Sequence, residues 1–297
     1  MSTAIDVRSV TRRLARTVAL DDVTVRFPEH AISGLLGRNG AGKTTLMSII
    51  AGHDRPDSGT VSVFGERPFE NARILSRMNL IRDNQRYPDD FKLGHVLRVG
   101  PAFYPAWDEQ LAQRIVRELR IPSKPPIAKF SRGQVSSVAI LVGLAARAPL
   151  TIFDEPYLGL DATARRIFYD IVLEDYAAHP RTILLSTHLI DEMEPLLEHV
   201  VVLDRGRVLM DTSVEEARGR AVTVSGTARA VGSATEGFRV LRAQALGGLR
   251  SVTVEASIDD PALAGAPDVE LSPVSLQDLV AAYGASDEET ALEGASR

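Results

Sequence analysis

The chain has 297 residues, a formal net charge of −5 and no cysteine, with 44% hydrophobic and 25% charged residues. This composition is typical of a soluble globular protein, and the length accommodates one large and one small domain. The negative charge argues against nucleic-acid binding, and the absence of cysteine excludes disulfides, thiolate-bound zinc and a cysteine nucleophile. The most apolar stretch, Val138 to Ala146, is shorter than the ~20 residues of a membrane-spanning helix. We therefore expect a cytoplasmic protein that reaches a membrane only through a partner.

Over residues 1–217, short apolar runs alternate with helix-length amphipathic stretches, a pattern typical of βα units around a sheet. Residues 87–146 interrupt this alternation with proline-rich breaks around a periodic helix, Glu109–Leu119, and are predicted to form a helical insert. The predicted strands are Ala31–Leu36, Leu150–Phe153, Thr182–Ser186, Val200–Leu203 and Arg207–Met210.

From residue 218 the sequence becomes rich in Ala, Gly and Ser. Three short strands are predicted in this part, followed by a capped helix over Ser275–Tyr283. We expect a small α+β accessory module over residues 218–284 and a disordered acidic tail over residues 285–297. The three strands are Arg220–Val224, Phe238–Leu241 and Ser251–Glu255.

A glycine-rich loop follows the first apolar strand and precedes a predicted helix over Thr44–Ala51. It fits G-x-x-x-x-G-K-[ST] in the strand–loop–helix context that a phosphate-binding loop requires. Its backbone N–H groups are expected to bind phosphate oxygens, while Lys43 reaches the β- and γ-phosphates and Thr44 holds Mg²⁺. The predicted nucleotide-binding residues of the loop are Gly37, Arg38, Asn39, Gly40, Ala41, Gly42, Lys43, Thr44 and Thr45.

The strand Leu150–Phe153 is followed directly by two acidic residues. Asp154 is predicted to orient the magnesium shell, and Glu155 to polarise the water that attacks the γ-phosphate. An acidic residue often ends a buried strand for structural reasons alone, but two in succession are less common. Behind a phosphate-binding loop, the pair predicts a site that hydrolyses a nucleoside triphosphate.

The phosphate-binding loop, the peptide Phe130-Ser131-Arg132-Gly133-Gln134 and the peptide Asp154-Glu155-Pro156 together resemble the ATP-binding subunits of ABC-type ATPases. The signature peptide of that family reads approximately L-S-G-G-Q, from which Phe130 and Arg132 depart. The resemblance implies an α/β P-loop NTPase core of the ABC ATPase type over residues 1–217. It also implies that Ser131, Gly133 and Gln134 belong to the nucleotide site, where Ser131 and Gly133 reach the γ-phosphate held by Lys43 of another subunit.

The resemblance assigns roles to three further residues. Gln85 matches the glutamine that senses magnesium, Asp161 matches the aspartate of the D-loop, and His188 matches the switch histidine that contacts the γ-phosphate. Alone, Gln85 would be interpreted as a polar loop residue and His188 as a structural histidine. The expected catalytic residues are Lys43, Gln85, Glu155 and His188, and the expected magnesium ligands are Thr44, Gln85 and Asp154.

One element of the family pattern is missing. The aromatic residue that usually stacks on adenine is replaced by Leu14, in the first strand–turn region. We expect Leu14 to contact the base through apolar surface, while Arg13 or Arg16 supplies a cationic plane.

The resemblance also implies partners. One chain carries one P-loop and one signature, so a complete site requires a second ATPase subunit, either a homodimer or a similar paralogue, with ATP–Mg²⁺ at the interface. A separately encoded transmembrane permease would hold the protein at the inner face of the cell membrane. The short insert and the C-terminal module are similar to those of ATPases paired with ABC-2 type exporters, and no feature points to import. The alternative is a soluble mechanical ATPase that acts on a cytosolic assembly.

Aromatic residues of the insert are expected to contribute to the groove that meets the permease, although they could equally form the core of the insert. These residues are Phe91, Phe103, Tyr104 and Trp107.

Overall fold

The computed structural model describes residues 2–82 and 85–283. The chain divides into two compact units. The first comprises the chain up to His188 together with Leu196–Asp211, and the second comprises Leu189–Pro195 and the chain from Thr212 onward. The first unit therefore ends at Asp211 rather than at the expected residue 217, and the segment after His188 belongs to the second unit. The tail expected at residues 285–297 lies outside the described residues.

A six-stranded sheet forms the centre of the first unit, in the order β5-β6-β7-β3-β8-β9. Strands β5, β6, β7, β3 and β8 pair in parallel. Every residue of β3, β6 and β7 is buried, as expected for a parallel sheet covered on both faces. The bounds are β3 Ile32–Leu36, β5 Met78–Arg82, β6 Leu150–Asp154, β7 Thr182–Thr187, β8 His199–Asp204 and β9 Arg207–Ser213.

A second sheet of this unit is antiparallel, in the order β2-β1-β4. It was not expected, because the alternating pattern over residues 1–217 indicated βα units throughout. The strands β1 and β2 form a hairpin in which Leu14 pairs with Thr17, and Ala15 in the turn has φ 54°. The bounds are β1 Thr3–Leu14, β2 Thr17–Pro28 and β4 Ser58–Val63.

The helices of the first unit flank these sheets, and the predicted insert contains three of them, α3, α4 and α5. Helix α5 buries nine residues and packs on β5 and β6, where Gly143 approaches the Phe153 ring so closely that a Cβ would lie 2.4 Å from it. Among the described residues, no helix has the length and apolar character needed to cross a membrane. The bounds are α1 Lys43–Ile50, α2 Ala72–Leu75, α3 Leu93–Phe103, α4 Glu109–Glu118, α5 Arg132–Ala145 and α6 Ala162–Ala178.

The second unit is an α+β module built on an antiparallel sheet in the order β11-β12-β10-β13. Valines from β10 and β12 pack with Val231 and Leu263 to form its core. Strand β13 and the helices α9 and α10 were not expected, and the other strands begin or end several residues from their predicted bounds. The bounds are α7 Ile190–Met193, α8 Val214–Arg218, β10 Val222–Thr227, α9 Ala228–Ala234, β11 Val240–Leu246, β12 Leu249–Val254, α10 Pro261–Ala264, β13 Val269–Pro273 and α11 over residues 276–283.

Candidate active site

The phosphate-binding loop connects β3 to α1, and its glycines are required by the surrounding backbone. Gly37 and Gly42 have φ values of 145° and 107°, a region that side chains strongly disfavour. A Cβ on Gly37 would lie 2.2 Å from the Leu203 carbonyl oxygen, and one on Gly42 would lie 2.5 Å from the Ala19 carbonyl oxygen. The chain can therefore follow this tight path only with glycine at both positions.

Lys43 is the first residue of α1, and its side chain is buried. Its Nζ donates to the carbonyl oxygens of Gly37 at 2.7 Å and Arg38 at 3.2 Å, and lies 3.6 Å from Glu155 Oε1. Burial lowers the pKa of Lys43, and the carboxylates of Glu155 and Asp154 oppose that shift. The ammonium is thus partly desolvated beside the loop, where an anionic phosphate would stabilise it.

A cleft of about 450 Å³ opens next to this loop. Loop residues form one side, Glu155 contributes from β6, and the β1–β2 hairpin contributes Leu14 and Thr17. Leu14 is 45% exposed and lies on the cleft wall, whereas Arg13 and Arg16 are not part of the described lining. The cationic plane expected from one of those arginines stays a prediction.

We expect Leu14→Tyr to tighten ATP binding, because an aromatic ring at this position can stack on the base. Stacking of a base on an aromatic side chain contributes about 1–3 kcal/mol, so the Kd for ATP should fall roughly tenfold. Fluorescence titration with a labelled ATP analogue measures the effect. The matched control is Val18→Tyr, since Val18 is similarly exposed on the same hairpin but does not line the cleft. Equal affinities for the two variants would show that Leu14 does not face the base.

The two acidic residues at the end of β6 both form hydrogen bonds with Ser186 of the neighbouring strand β7. The Ser186 hydroxyl donates to Asp154 Oδ1 at 2.8 Å and accepts from the Glu155 N–H at 2.9 Å. Glu155 has φ 50°, a strained conformation for a residue with a side chain. The bond to Ser186 stabilises this turn, which directs the Glu155 carboxylate toward Lys43. Ser186 was not singled out from the sequence, although its position at the end of the strand beside β6 is the available signal.

His188 follows β7, and its Nδ1 lies 3.3 Å from Glu155 Oε2. The Glu155 carboxylate therefore lies between the Lys43 ammonium and the His188 ring, with one oxygen directed to each. The structure thus brings together three of the four expected catalytic residues at the carboxyl edge of the parallel sheet. Such an arrangement can bind a phosphate chain and accept a proton from a water beside it.

Tyr157 supports this arrangement and was also missed in the sequence. Its side chain is buried, and its hydroxyl donates to Thr187 Oγ1 at 2.7 Å and accepts from the His188 N–H at 3.2 Å. Because Tyr157 follows Glu155 by two residues, it connects the loop after β6 to the loop that carries His188. The hydroxyl therefore fixes the position of the histidine relative to the glutamate.

We expect Tyr157→Phe to lower kcat about tenfold with little change in KM, because the variant loses the hydrogen bonds to both Thr187 and His188. A tenfold loss corresponds to about 1.4 kcal/mol, which one or two buried hydrogen bonds can supply. Steady-state phosphate release at several ATP concentrations separates the two parameters. The control is Tyr104→Phe, which removes a hydroxyl that donates to Asn79 and does not line the cleft. A purely structural role for Tyr157 would lower the melting temperature and leave kcat of the folded protein unchanged.

The signature peptide lies against the D-loop, which comprises residues 158–161. Ser131 caps α5 by accepting from the Gln134 N–H, and the Gln134 side chain accepts in turn from the Ser131 N–H. A Cβ on Gly133 would lie 2.4 Å from the Gly159 carbonyl oxygen, so only glycine permits this contact. Asp161 caps α6 by accepting from the Ala164 N–H. In the part of the chain that the structure describes, none of these residues lines the cleft beside Lys43.

The residues expected to bind magnesium carry oxygen atoms, which are the ligands that this ion prefers. Gln85 follows β5, and its Oε1 is buried without a hydrogen-bond partner among the described residues. Thr44, Asp154 and Gln85 offer only oxygen ligands, which Mg²⁺ prefers, and it usually combines one or two carboxylates with phosphates and water. The described residues contain no group of three or more His, Cys, Asp or Glu that could hold a metal ion.

Comparison with known proteins assigns the chain to a family. The ABC transporter family model matches residues 20–158, and a model described as "AAA domain, putative AbiEii toxin, Type IV TA system" matches residues 124–193. Aliphatic sulfonates import ATP-binding protein SsuB 2 of Pseudomonas syringae is 30% identical over 268 residues, which are 90% of this chain and 89% of that protein. Nod factor export ATP-binding protein I of Sinorhizobium fredii is 30% identical over 214 residues, which are 70% of this chain and 62% of that protein.

A solved ATP-binding subunit of an ABC transporter matches with a TM-score of 0.65 and 28% identity, covering 73% of this chain and 92% of that chain. The residues that the ABC transporter model matches include the phosphate-binding loop, the signature and the Asp154–Glu155 pair described above. The chain therefore belongs to the ABC transporter ATP-binding subunits and is an ATP hydrolase.

Proposed function

We propose that this subunit powers a membrane exporter by binding and hydrolysing ATP–Mg²⁺ between two copies of its ATPase unit. The observation that carries this proposal is the position of Glu155 between Lys43 and His188 in a cleft that lacks the signature residues of its own chain. A second subunit would supply Ser131 and Gly133 to close the cleft. ATP would then favour closure because its γ-phosphate contacts both subunits, and hydrolysis would remove that contact.

Hydrolysis uses the carboxylate of Glu155 as the general base. Water attacks the γ-phosphorus while the bond to the β,γ-bridging oxygen breaks, which yields ADP and phosphate, and the water proton is transferred to Glu155. His188 would orient the attacking water, and Lys43 would neutralise charge on the phosphates. Mg²⁺, when held by Thr44, Asp154 and Gln85, would supply further charge neutralisation.

The helical insert offers one exposed aromatic residue for contact with the permease. Phe103 at the end of α3 is 73% exposed. The other three aromatic residues are engaged within the first unit, since Phe91 lies beside Tyr87 and His95, Tyr104 donates to Asn79, and the Trp107 ring covers Gly100. We therefore place the contact with the permease at Phe103 rather than at all four residues.

We expect Phe103→Ala to weaken recovery of the protein with solubilised membranes several-fold while ATP binding stays unchanged. The reason is that burying an exposed phenyl ring in a partner contributes about 1.5–3 kcal/mol, which truncation removes. The matched control is Leu173→Ala, an exposed apolar residue on α6. If both variants are recovered equally well, Phe103 is not part of the docking surface.

The experiment that tests the proposed function is a pull-down from gently solubilised native membranes, with tagged Glu155→Gln protein loaded with ATP and Mg²⁺. Stoichiometric recovery of a polytopic membrane protein supports the transport function. Recovery of ribosomes or another soluble assembly instead would support the alternative of a mechanical ATPase in the cytosol and would overturn the proposal.

Import is a second candidate, because the relative that covers 90% of this chain is named as an import protein. Export is favoured by the resemblance of the insert and C-terminal module to ABC-2 type exporter ATPases and by the relative named for Nod factor export. The same pull-down separates the two directions. A substrate-binding protein recovered together with the permease would indicate import, and a permease that acts without one would indicate export.

A further inference from the structure

A buried serine of helix α5 forms a hydrogen bond outside its own helix. The side chain of Ser136 is fully buried, and its hydroxyl donates to the Leu158 carbonyl oxygen of the D-loop at 2.6 Å. The next residue, Ser137, is buried as well, but its hydroxyl donates to the Gly133 carbonyl oxygen at 2.9 Å, four residues back in the same helix. Serines within helices commonly form this second kind of bond. Ser136 therefore links α5 to the loop that follows β6, whereas the bond of Ser137 stays inside the helix.

The backbones of α5 and the D-loop are also in direct contact. Gly133 precedes Ser136 by three residues, so the two lie on one face of the helix. A Cβ on Gly133 would lie 2.4 Å from the Gly159 carbonyl oxygen, and a Cβ on Gly159 would lie 3.1 Å from the Gly133 nitrogen. The Ser136 bond therefore fastens the D-loop at a point where it already touches the first turn of α5.

Leu158 connects Ser136 to the backbone of Glu155. The Leu158 N–H donates to the Glu155 carbonyl oxygen at 3.2 Å, which closes a turn over residues 155–158. On its other side, Glu155 donates its own N–H to the Ser186 hydroxyl of β7 at 2.9 Å. The Glu155 backbone is thus held at its N–H by β7 and at its carbonyl group by Leu158. Ser136 in turn holds Leu158.

This support matters because the backbone of Glu155 is strained. Its φ of 50° is a conformation that residues with side chains seldom adopt, and it persists only where neighbouring groups constrain it. The conformation directs the carboxylate into the space between Lys43 and His188. A less constrained turn would let Glu155 relax, and its carboxylate would then leave this position.

We propose that Ser136 is a positioning residue for ATP hydrolysis. Its hydroxyl fixes Leu158, and through Leu158 it fixes the strained turn that places the Glu155 carboxylate beside the phosphate-binding loop. The same bond ties this turn to α5, whose first turn carries the signature. The position of Glu155 therefore depends on the position of the signature helix of its own chain. This inference rests on the role of Glu155 in the proposed function.

The test is Ser136→Ala, which removes the bond without adding bulk. We expect kcat to fall about fivefold, because a buried hydrogen bond is lost, while KM for ATP stays within about twofold, because Ser136 does not line the cleft. The matched control is Ser137→Ala, which loses a bond inside the helix and should keep the kcat of the unmodified protein. Steady-state phosphate release over a range of ATP concentrations measures both parameters.

Melting temperatures separate positioning from a purely structural role. Both variants lose a buried hydrogen bond, so both should melt at a lower temperature than the unmodified protein, and assays well below those temperatures compare folded proteins. Ser136→Cys provides a second variant at the same position, since its thiol is a weaker donor of similar size and should give an intermediate kcat. If folded Ser136→Ala and Ser136→Cys keep the unmodified kcat, or if Ser137→Ala loses kcat to the same extent, the proposal is wrong.

A double variant tests whether the effect passes through this loop. Tyr157 lies in the same turn and contacts the loop that carries His188. If Ser136 acts by holding this turn, then Ser136→Ala combined with Tyr157→Phe should lower kcat by less than the product of the two separate losses. A loss equal to that product would mean that Ser136 acts elsewhere, which would contradict the proposal.

The activity of Glu155→Gln separates this inference from the proposed function. If Glu155→Gln loses activity and Ser136→Ala does not, the inference is wrong and the proposed function stands. If Ser136→Ala loses activity while Glu155→Gln keeps it, Ser136 positions the loop for hydrolysis, but the base assigned in the proposed function is wrong.

Discussion

Glu155→Gln is expected to lower kcat for ATP hydrolysis by about 10²–10⁴-fold while ATP binding is retained, because an amide cannot accept the water proton that a general base removes. The glutamine side chain has nearly the same shape, and the strained backbone at this position, held by Ser186, is unaffected. Lys43 keeps its bonds to the carbonyl oxygens of Gly37 and Arg38, so the phosphate-binding loop is preserved. Phosphate release and nucleotide retained after gel filtration measure both effects.

The control for this variant is Glu174→Gln, which neutralises an exposed glutamate that pairs with Arg114 and does not line the cleft. It should hydrolyse ATP at the rate of the unmodified protein. A loss of less than tenfold in Glu155→Gln, or an equal loss in the control, would mean that another group acts as the base. His188 would then be the first residue to substitute, because it is in contact with the same carboxylate.

Lys43→Ala is expected to raise the Kd for ATP roughly 10- to 100-fold, since hydrogen bonds from a charged donor contribute about 1.5–3 kcal/mol. The Lys43 ammonium is buried and bonded to the carbonyl oxygens of its own loop. A phosphate chain would replace those partners with anionic ones, and alanine can supply neither interaction. Isothermal titration with ATP–Mg²⁺ measures the change.

Lys124→Ala is the matched control, because it removes the same charge from an exposed position of the helical insert. Its affinity for ATP should be unchanged. The melting temperature of Lys43→Ala should stay close to that of the unmodified protein, since burial already disfavours the charged form of this lysine. ATP affinity that survives in Lys43→Ala would show that the loop does not bind the phosphates through this residue.

The strands that carry the active site could be predicted because a buried parallel strand is recognisable from its own residues. Strands β3, β6 and β7 are buried on both faces, so each one is a continuous apolar run bounded by loops. Predicted bounds for these strands differ from the observed ones by one residue at most. The same reasoning failed for β1, β2 and β4, whose antiparallel pairing depends on partners far apart in the chain.

The second unit was predicted less well for a related reason. Its strands are short and combine valine with Ser, Thr, Ala and Gly, so that burial on one face leaves only a weak alternating signal. Strand β13, which begins just after Asp268, offers even less signal. The inclusion of Leu189–Pro195 in this unit has no counterpart in the local sequence, because it depends on which residues meet after folding.

The sequence by itself determined the family, the nucleotide and the residue types of the site, because the phosphate-binding loop, the signature and the Asp154–Glu155 pair are contiguous peptides with defined chemistry. Only the tertiary structure decided that Glu155 lies between Lys43 and His188 and that Tyr157 holds the histidine loop. These facts depend on strand order, which places β7 between β6 and β3. Strand order is set by long-range packing of buried faces, and no local pattern of residues specifies it.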